Sequence, residues 1–561
     1  MVAALALAAY VALAWPGAWR LPFMGDDFVF LDAAARPLPA LFSPHEAAFG
    51  WWRPWSRGFH YWTLLHVAGP SPVAFRIAGV ALWIAALLLF GHLARRVLAP
   101  RAAAVAAFGA AGLGLWGAPL LWIPGVQDLW MLVLALATLA LIDARRDVAA
   151  TASFALALLS KETAAVVPLI AFAWLVFARR ESPRRALRRL IPLAAVTIAW
   201  ALLHPTLFAR LGGRYVDARA NAPGEAGFAA PVRALLALAN LSPLPRPTGL
   251  HGLDFVTIAG AALVLAAGAW LVARAFARPA GDPPHGRVAP LALAWTAAGW
   301  LPLLAPSIGW HAYYGALGSL GAWLGIAAVL ARVPAAAFAA LCALGVLGGL
   351  GAHTVSWDWG DAWYQHRAAS WQEGLRDRLH ELHPSLPPHT RVWFIKLPNN
   401  VGLVAGASSA MRFWYDDPTL RADYYSRYRP RTAGEPAGPD VFVRYDPERV
   451  LIEIATADED PAAGQRANPE WTHDHFNLAR QMVRAGDWRL AGTEYAKLGR
   501  VPDLWPPALY AGVCWDLAGM PARADSLLRD ATRRSGLPPD SVRTLAAQLR
   551  HEFVWKAAGA R

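Results

Sequence analysis

Two adjacent aspartates, Asp26 and Asp27, stand directly after an apolar run near the N-terminus and are the residues best suited to proton transfer. Neighbouring carboxylates repel, and partial removal from water raises the pKa of one of them, so the pair can supply a base tuned toward neutral pH. A solvated pair that merely ends a helix explains the same spacing, because charges at helix ends cost little compared with charges at mid-bilayer depth. Lys161 and Glu162 are more telling, since they interrupt an apolar stretch running from residue 149 to 178. A lysine at the centre of a span costs roughly 2.5–3.5 kcal/mol on insertion scales, and something must offset that. Either Lys161 holds an anionic phosphate while Glu162 orients it, or the two form a structural ion pair at a tight turn. Arg53 (in Trp51-Trp52-Arg53-Pro54) and His311 (in Gly309-Trp310-His311) are further cation candidates, with interfacial anchoring as the alternative. A guanidinium fork matches phosphate oxygens well. Asp128, between Gly125 and Trp130, reads first as a helix cap and second as a substrate contact.

The elements that must position these residues are membrane helices. Hydrophobic residues make up 56% of the 561 and the mean hydropathy is +0.32, more than one soluble core could bury. Apolar runs of spanning length fall at residues 2–19, 73–94, 102–121, 126–143, 149–160, 163–178, 190–207, 254–273, 288–306, 312–331 and 334–353. The first lacks the basic flank and cleavage pattern of a signal peptide and reads as a retained helix. Arg95, Arg96 and Arg101 follow the second run, Arg145 and Arg146 the fourth, a cluster from Arg179 to Arg189 the sixth, Arg274 and Arg278 the eighth, and Arg332 the tenth. This alternation predicts about eleven transmembrane helices, with two of them between residues 149 and 178, the N-terminus cytoplasmic and the C-terminus outside. It also accounts for the net charge of +13, which in a soluble chain would suggest nucleic acid; no nucleic-acid partner is expected. The two cysteines, Cys342 and Cys514, offer neither a disulfide framework nor zinc spacing.

The same topology brings Asp26, Asp27, the loop of residues 20–72, Asp128, Lys161, Glu162, the loop of residues 205–253 and His311 to one outer face. Trp51, Trp52, Trp55, Trp62, Trp122, Trp130 and Trp310 lie at that level, as in an aromatic belt or the floor of a groove where a lipid enters. From about residue 355 the composition becomes that of a soluble domain, opening with an aromatic stretch that holds Trp357, Trp359 and Trp363. Strand-like runs at Val392–Lys396, Asp440–Val443 and Val450–Ile454 flank a loop carrying Asp416 and Asp417 and predict a small mixed α/β segment over residues 355–467. Beyond residue 468 the pattern is helical and weakly repetitive: Ala485-Gly486-Asp487 recurs as Ala518-Gly519-Met520, and Ala491 as Ala524, close to the tetratricopeptide period. The expected organisation is a transmembrane module over 1–354, the α/β segment, and a short helical-repeat array over 468–561.

In layout, residues 1 to about 350 resemble the GT-C superfamily of membrane glycosyltransferases, which includes protein O-mannosyltransferases and aminoarabinose transferases. The resemblance rests on the acidic pair Asp26-Asp27 after the first helix, on Arg53-Pro54 followed by Gly69, Pro70 and Pro72, on Ser160-Lys161-Glu162, and on His311, Tyr313, Tyr314 and Gly318. Phe75 and Arg76 depart from the family's pattern, as does the later outer loop, where no extra acidic metal motif is found. The resemblance implies a polyprenyl-phosphate-linked sugar as donor and a lipid, glycan or protein hydroxyl as acceptor, in a bacterial inner membrane. It implies Asp26 as base with Asp27 positioning, and Lys161, Glu162, Arg53 and His311 at the donor phosphate. Asp128, Tyr313 and Tyr314 are further candidates. It names no certain cofactor and leaves a divalent metal open. Two readings from other classes compete: a membrane-anchored scaffold whose repeats bind partner proteins, and a lipid or sugar transporter, whose signature would be midplane charges in inverted repeats.

Overall fold

The computed structural model describes residues 1–46, 50–211, 229–241, 252–275, 288–304, 311–352, 362–397, 408–454 and 460–559. Trp310, Gly309, Arg278, Trp357, Trp359, most of the loop 205–253 and the expected boundary near 355 lie outside them. The chain divides into two compact units, residues 1–370 and 371–561.

The first unit is a helical multi-pass membrane protein. Among the described residues six helices are long and apolar enough to cross a bilayer: Pro72–Ala94, Ile123–Asp143, Pro183–Leu203, Asp254–Ala275, Ala312–Leu330 and Pro334–Gly351. The pair Pro100–Ala111 and Gly114–Leu121, bent by 50°, makes a seventh if counted as one span. The remaining apolar runs form shorter helices, Val2–Ala14, Asp147–Leu158, Glu162–Ala178 and Val288–Leu304. Residues 149–178 thus hold two helices, parted at Lys161, whose backbone is extended (φ −163°, ψ 142°). In lipid every backbone group freed at such a break must find a partner. At the bend after Ala111 one buried side chain supplies two and ties in a neighbouring helix: Asn240 accepts from the Gly114 N–H (2.6 Å), donates to the carbonyl of Gly112 (2.9 Å), and donates also to the carbonyl of Leu344 (2.9 Å) within Pro334–Gly351.

Close helix contact depends on small residues, as expected where lipid offers no hydrophobic drive between helices. Gly299 meets Gly318 so tightly that a Cβ would come within 2.5 Å of the Gly318 Cα. Arginines and acids gather where helices end near residues 143–147 and 179–189. Asp143 takes Arg179 and, at 3.6 Å, Arg96, while Arg189 bridges Asp147 and Glu181 at 2.5 and 2.7 Å. The expected outer loop 20–72 is itself largely helical, with Asp27–Ala34, the wide π turn Pro54–Phe59 and His60–Ala68 as its main elements.

The second unit is built on a sheet that has four strands among the described residues, in the order β2-β1-β3-β4. β1 (Arg391–Ile395) runs parallel to β2 (Arg421–Tyr424) and β3 (Asp440–Asp446), and β4 (Val450–Glu453) is antiparallel to β3. Because β1 is covered on both faces, it reads as an unbroken apolar run rather than an alternation. Val392 and Phe394 pack on Leu375 and Leu379 of the helix before it. Trp393 and Ile395 face the other way, toward Trp471, Leu478 and Met482. β2 is missing from the expected strands because Arg421 and Asp423 break its apolar character over only four residues. Asp416 ends a short helix at φ 48°, and the carboxylate of Asp417 accepts from the Thr419 N–H (2.7 Å), so both belong to a turn. The helices Trp471–Ala485 and Trp488–Leu498 form one hairpin, Pro506–Leu517 and Pro521–Ser535 a second, and Pro539–Ala558 follows. Gly486 and Gly519 both stand at φ 73°, the left-handed turn that favours glycine.

Candidate active site

The acidic pair sits on a tight turn. Gly25 adopts φ 57°, which a side chain would strain, and delivers Asp26 and Asp27 to the start of the helix Asp27–Ala34. The two carboxylates differ. Asp27 is fully buried, with Oδ2 accepting from the Met24 N–H (2.8 Å) and Oδ1 accepting from the Tyr61 hydroxyl (3.1 Å). Burial pushes its pKa up to about 7, held back by the Met24 N–H, the field of Arg76 and the Tyr61 hydroxyl. Asp26 is only partly buried. Desolvation raises its pKa as well, against the opposing field of Arg57. Arg76 fixes the approach to the pair by donating to three carbonyls, those of Leu21 (2.5 Å), Leu121 (2.9 Å) and Pro22 (3.1 Å).

A chain of side chains from distant parts of the sequence lies beside it. The π turn Pro54–Phe59 docks on the break before Lys161 through Ser56 Oγ to the Ser160 carbonyl (2.7 Å) and the Trp55 N–H to the Leu159 carbonyl (3.1 Å). That seats Arg53 against Glu162, with Nε 2.9 Å from both carboxylate oxygens and Nη2 2.5 Å from Oε2. Arg53 Nη1 and Arg57 Nε donate to the same oxygen, Oε1 of Gln127, at 2.5 and 2.9 Å, and the Gln127 amide is aimed by its own bond to the Pro124 carbonyl (2.8 Å). Arg57 has its pKa lowered to about 9 by burial and by Arg53, which leaves it charged at neutral pH. Lys161 Nζ lies 2.5 and 2.6 Å from the two oxygens of Asp128 and over the rings of Tyr314 (4.5 Å) and Tyr313 (5.0 Å). His204 closes the other end, 3.6 Å from Glu162 Oε1.

Arg53, Asp128, Lys161, Glu162, Tyr313 and Tyr314 therefore meet in one buried network. Lys161 and Glu162 do not pair with each other; each takes a partner of opposite sign from another element. Asp128 does not cap its helix, whose start has no side-chain cap. Arg53 is no interfacial anchor, with its side chain only 12% exposed. His311 stacks beside Tyr313 and meets Tyr314 edge-on, at ring distances of 5.9 and 5.2 Å. Three members went unnoticed in the sequence: Gln127, Arg57 and His204. The first two had a signal, since Gln127 precedes Asp128 and Arg57 lies only four residues beyond Arg53. His204, at the end of an apolar run, had none. Among the described residues, no three His, Cys, Asp or Glu side chains come together in a way that could hold a metal ion.

No protein-family model matches the chain, and no curated protein matches it. A solved structure resembles it at low level: the crystal structure of ArnT from Cupriavidus metallidurans bound to undecaprenyl phosphate, 14% identical, with a TM-score of 0.42 over 79% of this chain and 93% of that one. With a TM-score below 0.5, that likeness is too distant to assign a role to any residue.

Proposed function

We propose that the chain is a membrane glycosyltransferase that moves a sugar from a polyprenyl-phosphate donor to a hydroxyl acceptor at the extracytoplasmic face of a bacterial inner membrane. The observation that supports this most is the buried network itself. Three cations (Arg53, Arg57, Lys161) and two carboxylates (Asp128, Glu162) are drawn together beside a partly exposed third, Asp26, in a helical membrane unit where each charge is costly.

In this reading Asp26 takes the proton of the acceptor hydroxyl, and the oxygen attacks the anomeric carbon. The bond from that carbon to the phosphate oxygen breaks, and polyprenyl phosphate leaves with the electron pair, inverting the centre. Phosphate leaves without protonation, so no second acid is needed, unlike glycoside hydrolysis. Arg53, Arg57 and Lys161 stabilise the charge that develops on it. Their carboxylate partners hold them preorganised, and the incoming phosphate shares the cations rather than meeting them bare. Asp27, with both oxygens occupied, positions the turn. The reading includes about eleven spans, with the four shorter helices crossing, and a tetratricopeptide-like array over 468–561 that recruits the acceptor.

The test is transfer from a panel of radiolabelled polyprenyl-phosphate sugars by purified protein in lipid, with Asp26→Asn and Lys161→Ala beside the wild type. Transfer by the wild type that is lost in both variants, with membrane insertion intact, is the expected result. Undiminished turnover by Asp26→Asn would remove it from the role of base, and neither binding nor transfer by the wild type would favour the scaffold.

A further inference from the structure

A second charged site lies at the other end of the same helices. Tyr313, at the start of Ala312–Leu330, touches the buried network, and Arg332 follows that helix's last residue, 19 residues or about 28 Å away at the helical rise. There a cavity of about 530 Å³ opens between Arg332, Arg101 at the start of Pro100–Ala111, and Arg274 at the end of Asp254–Ala275, with Leu98, Val288 and Trp270 among its walls. All three arginines are exposed. Arg274 lies 4.9 Å over the ring of Trp270. Among the described residues no carboxylate pairs with any of the three. The other arginine clusters differ on this point, because Asp143, Asp147 and Glu181 are occupied by Arg96, Arg179 and Arg189.

We propose that this cavity binds an anionic phospholipid by its phosphate headgroup. Arginines at the ends of spans are expected from topology alone, but topology does not require three from three different helices to converge on one cavity with no acid lining it among the described residues. Guanidinium groups match phosphodiester oxygens by geometry as well as charge. The aliphatic walls and the half-exposed Trp270 suit the glycerol and upper acyl chain, which a soluble phosphate lacks. Basic pockets between helices at this level are a recognised lipid-headgroup environment. The site is independent of the transfer chemistry proposed above and stands or falls without it.

Native mass spectrometry of the full-length protein in detergent, loaded with phosphatidylglycerol or with phosphatidylcholine of the same chains, reads the preference directly. The wild type should retain phosphatidylglycerol over phosphatidylcholine. Each of Arg101→Gln, Arg274→Gln and Arg332→Gln should weaken phosphatidylglycerol about fivefold, the scale of one basic residue at a membrane surface, and the triple variant should lose the preference. Arg184→Gln/Arg188→Gln, in another exposed arginine cluster, should keep it. An unchanged preference in the triple variant, or displacement of the lipid by millimolar inorganic phosphate, would overturn the assignment. Should the triple variant fail to fold, a phosphatidylglycerol with a photoreactive headgroup decides on the wild type. Its crosslinks must fall within 98–102, 270–274 or 328–332, and labelling elsewhere would refute the site.

Discussion

The ion pair between Lys161 and Asp128 can be taken apart in a way that tests the whole account of the network. At 2.5 Å, and an effective dielectric constant of about 20, the two charges attract by about 7 kcal/mol before desolvation is subtracted. Removing one partner of such a pair costs about 3–5 kcal/mol, because the other is left buried and uncompensated. The two single losses should differ. Asp128→Leu leaves Lys161 over the faces of Tyr313 and Tyr314, each contributing about 0.5–2 kcal/mol. Lys161→Met leaves Asp128 without the rings and held only by the more distant charge of Arg53. The rings together contribute about 1–4 kcal/mol, offset in part by the attraction of Arg53 for Asp128, so Lys161→Met should cost about 1–2 kcal/mol more than Asp128→Leu, and the double variant should recover most of the loss, since an apolar replacement of a buried pair is often neutral. Denaturant unfolding in detergent micelles, followed by tryptophan fluorescence with monodispersity checked by size exclusion, measures all four corners. Additive single losses would refute the coupling, and Asp128→Leu costing as much as Lys161→Met would refute the contribution of the rings.

Three further outcomes follow from the same geometry. The pKa of Asp27 is raised in the folded state from its ordinary 3.8 to about 7, so between those values the folded state holds the extra proton and stability falls as pH rises, levelling off above about 7; unfolding at pH 5 and pH 8 should show this loss, and Asp27→Asn should remove it. Asn240→Leu strips two backbone groups, the Gly112 carbonyl and the Gly114 N–H, of their partner at the bend, with an expected loss of about 2 kcal/mol or more at roughly 1–3 kcal/mol per orphaned group, visible as faster proteolysis or hydrogen exchange near residues 112–114. Gly486→Val and Gly519→Val force a branched side chain into φ 73° and should each cost at least about 1–2 kcal/mol in the second unit, whereas Gly374→Val, at a position with open space for a Cβ, should be much milder because it does not start from a positive φ.

Much of the first unit was legible because its physics is repetitive. Long apolar runs bounded by arginines gave helices close to the observed ones, including the α-helical part of Ile123–Asp143, which begins at Val126 after a 3-10 turn. The interruption at Lys161 and Glu162 was visible for the same reason, as two charges in a run that tolerates none. Which charge meets which was not visible. Lys161 with Asp128 and Arg53 with Glu162 are pairs across 33 and 109 residues, and nothing local encodes such distances. The difference between Asp26 and Asp27 was equally hidden, because it depends on the turn at Gly25 and on Tyr61 arriving from another helix. In the second unit β1 showed itself by its apolar content, while β2, made mostly of backbone pairing, left no trace.

The length of the helices beside the network has a bearing on where the chemistry would have to occur. Asp128 and Asp143 lie on one helix, 15 residues or about 22 Å apart at the helical rise, while the hydrocarbon core of a bilayer is about 30 Å thick. With Asp143 and its arginines at one headgroup level, Lys161 and Asp128 fall roughly 8 Å short of the other. A lipid phosphate could then reach them only by sinking below its own layer, drawn down into a depression at the protein's edge where the bilayer is locally thin.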